Sequence, residues 1–193
     1  MTTILKRYNT ARAYLINDAS IVKKLSLALV FAVALAIASQ IKIYLPFTPV
    51  PINFATFAVC ASALTLGGFW AFVSVALFIL AGSMGLPSTI APNALGATTG
   101  YLVGYALCAL ILGKYTEKNN AVNFVKTSII LFVSQIAIIH ICGMIGLYIW
   151  SANVATPYTL TEVIMKGSVP FILGDCVKAI ALSSLMTVVL KNK

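Results

Sequence analysis

The stretch Val169-Pro-Phe-Ile-Leu-Gly-Asp175-Cys-Val-Lys178-Ala-Ile-Ala-Leu182 sets an aspartate and a lysine inside an apolar run that continues to Leu190. The chain of 193 residues carries only four acidic residues, so one of them three positions from a lysine in such a setting requires a reason. At i, i+3 spacing the two side chains share one face of a helix. Each alone would cost about 3 kcal/mol at the centre of a bilayer. Two readings follow. Either the pair is a structural ion pair that neutralises itself, or it offers an acceptor (Asp175) and a cationic donor (Lys178) to a small ligand with N–H groups and a carboxylate. Apolar residues of the same volume would stabilise a core at least as well, which favours the second reading.

Working outward, the surroundings are those of a membrane protein. Hydrophobic residues make up 61% of the chain and charged residues 9%, with a mean hydropathy of +1.01, whereas soluble domains carry about 25% charged residues. No water-facing surface can be built from this inventory, so the chain is read as an all-α integral membrane protein. The net charge of +9 sits at the flanks of apolar runs, as in cytoplasmic loops, and not in a patch suited to nucleic acid. Cys60, Cys108, Cys142 and Cys176 stand singly in apolar segments, which indicates neither a metal site nor a disulfide framework. They are read as small packed residues.

Residues 1–20 place Lys6, Arg7 and Arg12 among apolar residues at i, i+4, i+7 and i+11. This cytoplasmic segment suits a short amphipathic helix on the membrane surface, and equally a frayed basic tail. Residues 21–193 form a single domain with six spans. The first, residues 25–41, carries a ladder of small residues, Ala28, Ala32 and Ala36, at the spacing that lets another helix approach closely. Its Ala36-Ile37-Ala38 resembles a signal-peptide cleavage site, but the region before the apolar run is over-long for that signal. Three prolines between Pro46 and Pro51 make residues 42–53 a stiff extended connector. The second span, residues 54–66, needs Ile52 and Asn53 to approach the length of a crossing. After the turn at Gly67-Gly68 comes the third, residues 69–85. Residues 86–95 form an uncharged loop suited to folding over a ligand. Gly96, Gly100 and Gly104 then open a fourth span that ends near Leu112. Residues 124–150 form the fifth, tilted or broken near Gly143 and Gly146, and after a polar loop at residues 151–167 the sixth covers residues 168–190.

An even number of spans puts both termini on one side. With the termini cytoplasmic, that side carries ten basic residues and the outer loops carry Lys42 and Lys166 alone, which predicts an N-in, C-in orientation. The connector, the uncharged loop and the start of the sixth span then meet at the outer end, and Asp175 and Lys178 would lie about 10–15 Å into the sixth helix from there. Asn53, Asn93, Thr98, Thr99 and Tyr101 supply neutral polar groups to the same pocket. Catalytic chemistry fits poorly. Ala81-Gly82-Ser83-Met84-Gly85 lacks the spacing of a nucleophile elbow, and the single histidine, His140, reads as a core residue or as one hydrogen-bonding between helices. Gly113-Lys114 lacks a phosphate loop's preceding glycine. The chain is therefore not expected to be an enzyme or to hydrolyse ATP, and no resident cofactor is expected.

Four motifs, Pro46-Phe-Thr-Pro-Val-Pro-Ile52, Ala81-Gly-Ser-Met-Gly-Leu-Pro87, Gly96-Ala-Thr-Thr-Gly-Tyr101 and Pro170-Phe-Ile-Leu-Gly-Asp175-Cys-Val-Lys178-Ala179, carry a resemblance. The chain resembles the BioY family, the biotin-specific substrate-binding (S) components of energy-coupling factor transporters. Where that family has Thr-Leu-Gln-Thr the chain has Asn53-Phe-Ala-Thr56, and where it has Pro-Thr-Gly-Gly-Tyr the chain has Ala97-Thr-Thr-Gly-Tyr101. The resemblance implies an S-component-like bundle in a bacterial cytoplasmic membrane that binds biotin from outside, with Asp175, Lys178 and Asn93 holding the ligand. It implies a transmembrane coupling protein, met by Ala28, Ala32 and Ala36, and a pair of ATPases as partners. The competing expectation from residues alone is a stand-alone proton- or ion-coupled carrier with Asp175 as the proton relay.

Overall fold

The computed structural model describes residues 10, 12–85, 96–118, 124–153 and 157–191. Helix α1 (Ile21–Gln40) starts at Ser20, whose hydroxyl accepts from the Lys23 N–H. Its buried residues Ala28, Ala32, Leu35 and Ala38 form one stripe, while Leu29, Val30, Val33 and Ile37 face outward. An outward apolar face of this kind matches hydrocarbon as solvent. Among the described residues three helical segments are long and apolar enough to cross a membrane: Ile21–Gln40, Phe124–Ser151 and Leu160–Met186. Ala55–Leu66 and Gly68–Ser83 are shorter apolar helices.

The proline connector is folded back on itself. Strands β1 (Lys42–Ile43) and β2 (Ile52–Asn53) pair antiparallel, Lys42 opposite Asn53 and Ile43 opposite Ile52. Ile52 and Asn53 therefore do not lengthen the second helix, as the sequence suggested. Instead Asn53 Oδ1 accepts from the Ala55 N–H at 3.0 Å, and α2 (Ala55–Leu66) begins there with 12 residues, about 18 Å long. Helix α2 is buried on nearly every face and stands at the centre of the bundle.

Gly67, at φ +80°, turns the chain into α3 (Gly68–Ser83). The Gly68 N–H donates to Glu117 Oε1 at 2.7 Å, an acid placed at a helix N-terminus where the orphan donors and the dipole favour it. Glu117 comes from α4 (Thr99–Lys118), which runs past the expected end near Leu112. Gly113 allows this, because a Cβ there would stand 2.5 Å from the Gly68 Cα. Buried Arg12 extends the same end. Its guanidinium donates to the Thr116 carbonyl at 2.9 Å and hydroxyl at 2.8 Å, so the helical residues 12–17 are docked on the end of α4. The glycine row is used in part. Gly100 packs on Gly146 and Gly104 on Ile139, whereas Gly96 precedes the helix with none of the described residues within 4 Å of a Cβ position.

The fifth segment is broken before Gly143 and Gly146, not at them. Helix α5 (Phe124–Ser134) passes into a π-helical turn, Gln135–His140, and then into α6 (Ile141–Ser151). A π turn brings i and i+5 into register, and here it turns Gln135, Ile139 and His140 into the core. The two glycines serve close packing against α4 instead, with Gly143 against the Tyr101 ring and Gly146 against Gly100. Within the expected polar loop lies α7 (Leu160–Gly167), opened by a capping box between Thr159 and Glu162. Helix α8 (Val169–Lys191) follows, and Pro170 in its first turn lacks only an N–H that would have had no partner. Helix α4 packs on α2, α3, the π turn and α6, and α8 packs on α2, α5 and α7.

Candidate binding site

A small pocket opens among the connector, α4, the π turn and α8, with Asp175 and Lys178 on its lining. The pair is made as its spacing predicts. Lys178 Nζ donates to Asp175 Oδ1 at 2.9 Å, with side-chain exposures of 9% and 3%. Two partners from elsewhere complete it. The Thr56 hydroxyl on α2 accepts from Lys178 at 3.1 Å and donates to Asp175 Oδ1 at 3.2 Å. His140 Nε2 lies 2.8 Å from Asp175 Oδ2, and its Nδ1 lies 2.8 Å from Ser168 Oγ. Each buried charge is thus held by an opposite charge and by neutral groups, which offsets desolvation that a bare pair would leave uncompensated.

The expected polar lining is present in part. Asn53 and Thr98 line the pocket. The Asn53 carbonyl oxygen is engaged by the Ala55 N–H and by the Tyr105 hydroxyl at 3.4 Å. Tyr101 also lines it, but its hydroxyl donates to the Gly167 carbonyl, so the residue contributes chiefly its ring. Thr99 lies instead at a groove between α4 and α6. Asn93 and the uncharged loop of residues 86–95 lie outside the described residues. Thr56, Tyr105, Phe171 and His140 join the lining without having been singled out for it. The expectation for His140, a hydrogen bond between helices, matches its geometry, but its partner Asp175 makes it part of the site.

The alanine ladder needs a correction. Ala28 is fully buried within the chain and presents nothing to a partner. Ala32 and Ala36 line an outward apolar groove of about 610 Å³ between α1 and α3.

The chemistry left over at the pocket floor can be counted. A lysine ammonium has three N–H donors and a carboxylate about four acceptor positions. Lys178 uses two donors, on Asp175 and Thr56. Asp175 accepts from Lys178, Thr56 and His140. Among the described residues one Lys178 donor and one acceptor position on Asp175 Oδ2 remain, from two charges that already balance. Such a floor suits the edge of a neutral amide or urea, with N–H beside C=O. It suits a carboxylate less well, because an anion at Lys178 would also face Asp175. The pocket is small, with a free volume of about 30 Å³.

The BioY family matches this chain over residues 8–192. A probable biotin transporter of Methanothermobacter thermautotrophicus is 32% identical over 126 residues, covering 61% of this chain and 79% of that protein. A biotin transporter of Thermotoga maritima is 30% identical over 143 residues, covering 72% of this chain and 79% of that one. Among solved structures, the S-component for biotin from an ECF-type ABC transporter superposes with a TM-score of 0.75 at 23% identity, covering 89% of this chain and 93% of that one. That last likeness is one of overall fold. These relatives are transporters and not enzymes. With the match running over nearly its whole length, the chain belongs to the BioY family.

Proposed function

We propose that this chain is the biotin-binding subunit of an ATP-driven vitamin importer in a bacterial-type cytoplasmic membrane. The observation that carries the reading is the floor made by Asp175 and Lys178, buried and mutually neutralised, with one acceptor and one donor to spare. Biotin's ureido ring offers an N–H beside a C=O and fits that floor, which leaves its valerate carboxylate to point away from it. Thr98 and Asn53 border the same pocket, and Asn93 is carried as a further ligand contact by the resemblance in motif. Names borne by the relatives support biotin as the ligand.

In this reading residues 21–193 cross the membrane six times, through α1, α2, α3, α4, α5 with α6, and α8, and both termini are cytoplasmic. The short α2 is accommodated because it is buried on nearly every face, and the short α3 packs one face on α1, α2 and α4. The energy comes from partners, a transmembrane coupling protein and a pair of ATPases, since the sequence offers no phosphate loop. The groove holding Ala32 and Ala36 is the surface proposed for the coupling protein, by close small-residue packing.

Equilibrium titration of the purified chain with radiolabelled biotin tests this. Saturable binding is expected, with Asp175→Asn and Lys178→Ala each weakening it at least tenfold, about 1.4 kcal/mol. Unchanged binding by both variants would return the pair to a structural role. Biotin uptake by this chain alone in proteoliposomes, driven by a pH gradient without ATPases, would replace the importer reading with that of a stand-alone carrier.

A further inference from the structure

The geometry points to His140 as a positioning residue of the binding site, acting through Asp175. The inference rests on the reading of the pocket as a biotin site. Asp175 must hold one acceptor lone pair toward the ligand, and a carboxylate tied at one oxygen only can rotate about its terminal bond. Lys178 and Thr56 both engage Oδ1. Oδ2 is engaged by His140 Nε2 at 2.8 Å. Both oxygens are therefore held, and among the described residues the histidine supplies the hold on Oδ2.

The ring is itself held in place. A carboxylate only accepts, so Nε2 carries the hydrogen, and in the neutral ring Nδ1 accepts from the Ser168 hydroxyl 2.8 Å away. Ser168 and Asp175 are seven residues apart, two helical turns, so the imidazole spans two positions on one face of the same segment. Phe171, between them, meets the ring edge-on, with centroids 6.2 Å apart at 82°. His140 is 2% exposed and reaches the site because the π turn rotates it inward. A continuous α-helix through this segment would carry it round by about 100°. The donor to Oδ2 thus depends on a local departure from regular helix, a feature that recurs at functional sites.

The amide side chains separate this role from simple packing. Glutamine can bring its N–H to where Nε2 stands, whereas asparagine reaches only as far as Nδ1. Biotin titration of the full-length wild-type chain, His140→Gln, His140→Asn and His140→Phe, each also made on an Asp175→Asn background, is the test. Relative to wild type, Asn and Phe are expected to weaken binding at least tenfold, while Gln restores affinity to within about threefold. On the Asp175→Asn background the three substitutions should add less than a threefold effect, because the group they act through has already changed. Equal affinities for Gln, Asn and Phe, or effects that simply multiply with Asp175→Asn, would overturn the role. If Phe does not fold, the Gln and Asn pair still decides. Failure of the wild type to bind biotin would sink the site reading as a whole, whereas binding that ignores His140 would sink this inference alone.

Discussion

At the scale of single residues, the site is a balance of buried charges, and its energetics separate structure from function. Removing one member leaves the other charged and unpaired, which costs about 3–5 kcal/mol in buried pairs. Replacing both with apolar residues of similar volume costs much less. Asp175→Ala alone is therefore expected to lower thermal stability more than the double substitution Asp175→Leu with Lys178→Met. Both proteins should fail to bind biotin. Thermal unfolding in detergent beside a binding assay checks this, and a double variant less stable than the single would contradict it. These two charges were legible in the sequence because each is chemically out of place in an apolar run. Thr56 and His140 were not. A threonine in a helix is unremarkable, and His140 lies 35 residues from Asp175 along the chain. Only packing reveals that pairing.

At the scale of elements, glycines decide which helices touch. A Cβ on Gly146 would stand 2.5 Å from the Gly100 Cα, a backbone atom that cannot swing aside. Overpacking of this kind costs about 1–3 kcal/mol, so Gly146→Ala should lower the unfolding temperature and loosen α6 against α4. Gly96→Ala meets none of the described residues within 4 Å and should change stability by less than about 0.5 kcal/mol. Equal effects in thermal unfolding would refute the packing account. The glycine spacing was legible as a close-packing face, but which glycine of the row is used depends on where α4 begins, and that boundary is set by tertiary contacts. The π turn was less legible still. Phe124–Ser151 is strongly apolar on average, and its scattered polar residues, Gln135 and His140 among them, carry no mark of one extra residue in a turn. The short α2 was misjudged for a related reason. Asn53 looked like helix but is held in a strand opposite Lys42.

At the scale of the molecule, the outward apolar faces and the ends of the helices raise the question of orientation. Leu29, Val33 and Ile37 on α1 and Leu173, Val177 and Ile180 on α8 are exposed, which suits contact with lipid and carries no information about which end faces the cytoplasm. The basic residues carry that information. Lys23, Lys24, Lys114, Lys118 and Lys126 belong to one end in the six-crossing reading, where the Thr116 carbonyl also receives buried Arg12. Lys42 and Lys166 belong to the other end. There the Thr48 hydroxyl donates to the Lys166 carbonyl at 2.7 Å and ties the connector to α7. Since the connector lines the pocket through Val50, Pro51 and Asn53, orientation also decides from which side ligand enters. Single cysteines introduced on a background with the four native cysteines replaced decide it. In intact cells a membrane-impermeant maleimide should label Lys42→Cys and Lys166→Cys, and should label Lys23→Cys and Lys126→Cys only after the membrane is opened. The opposite pattern would turn the pocket toward the cytoplasm and would be incompatible with capture of biotin from outside.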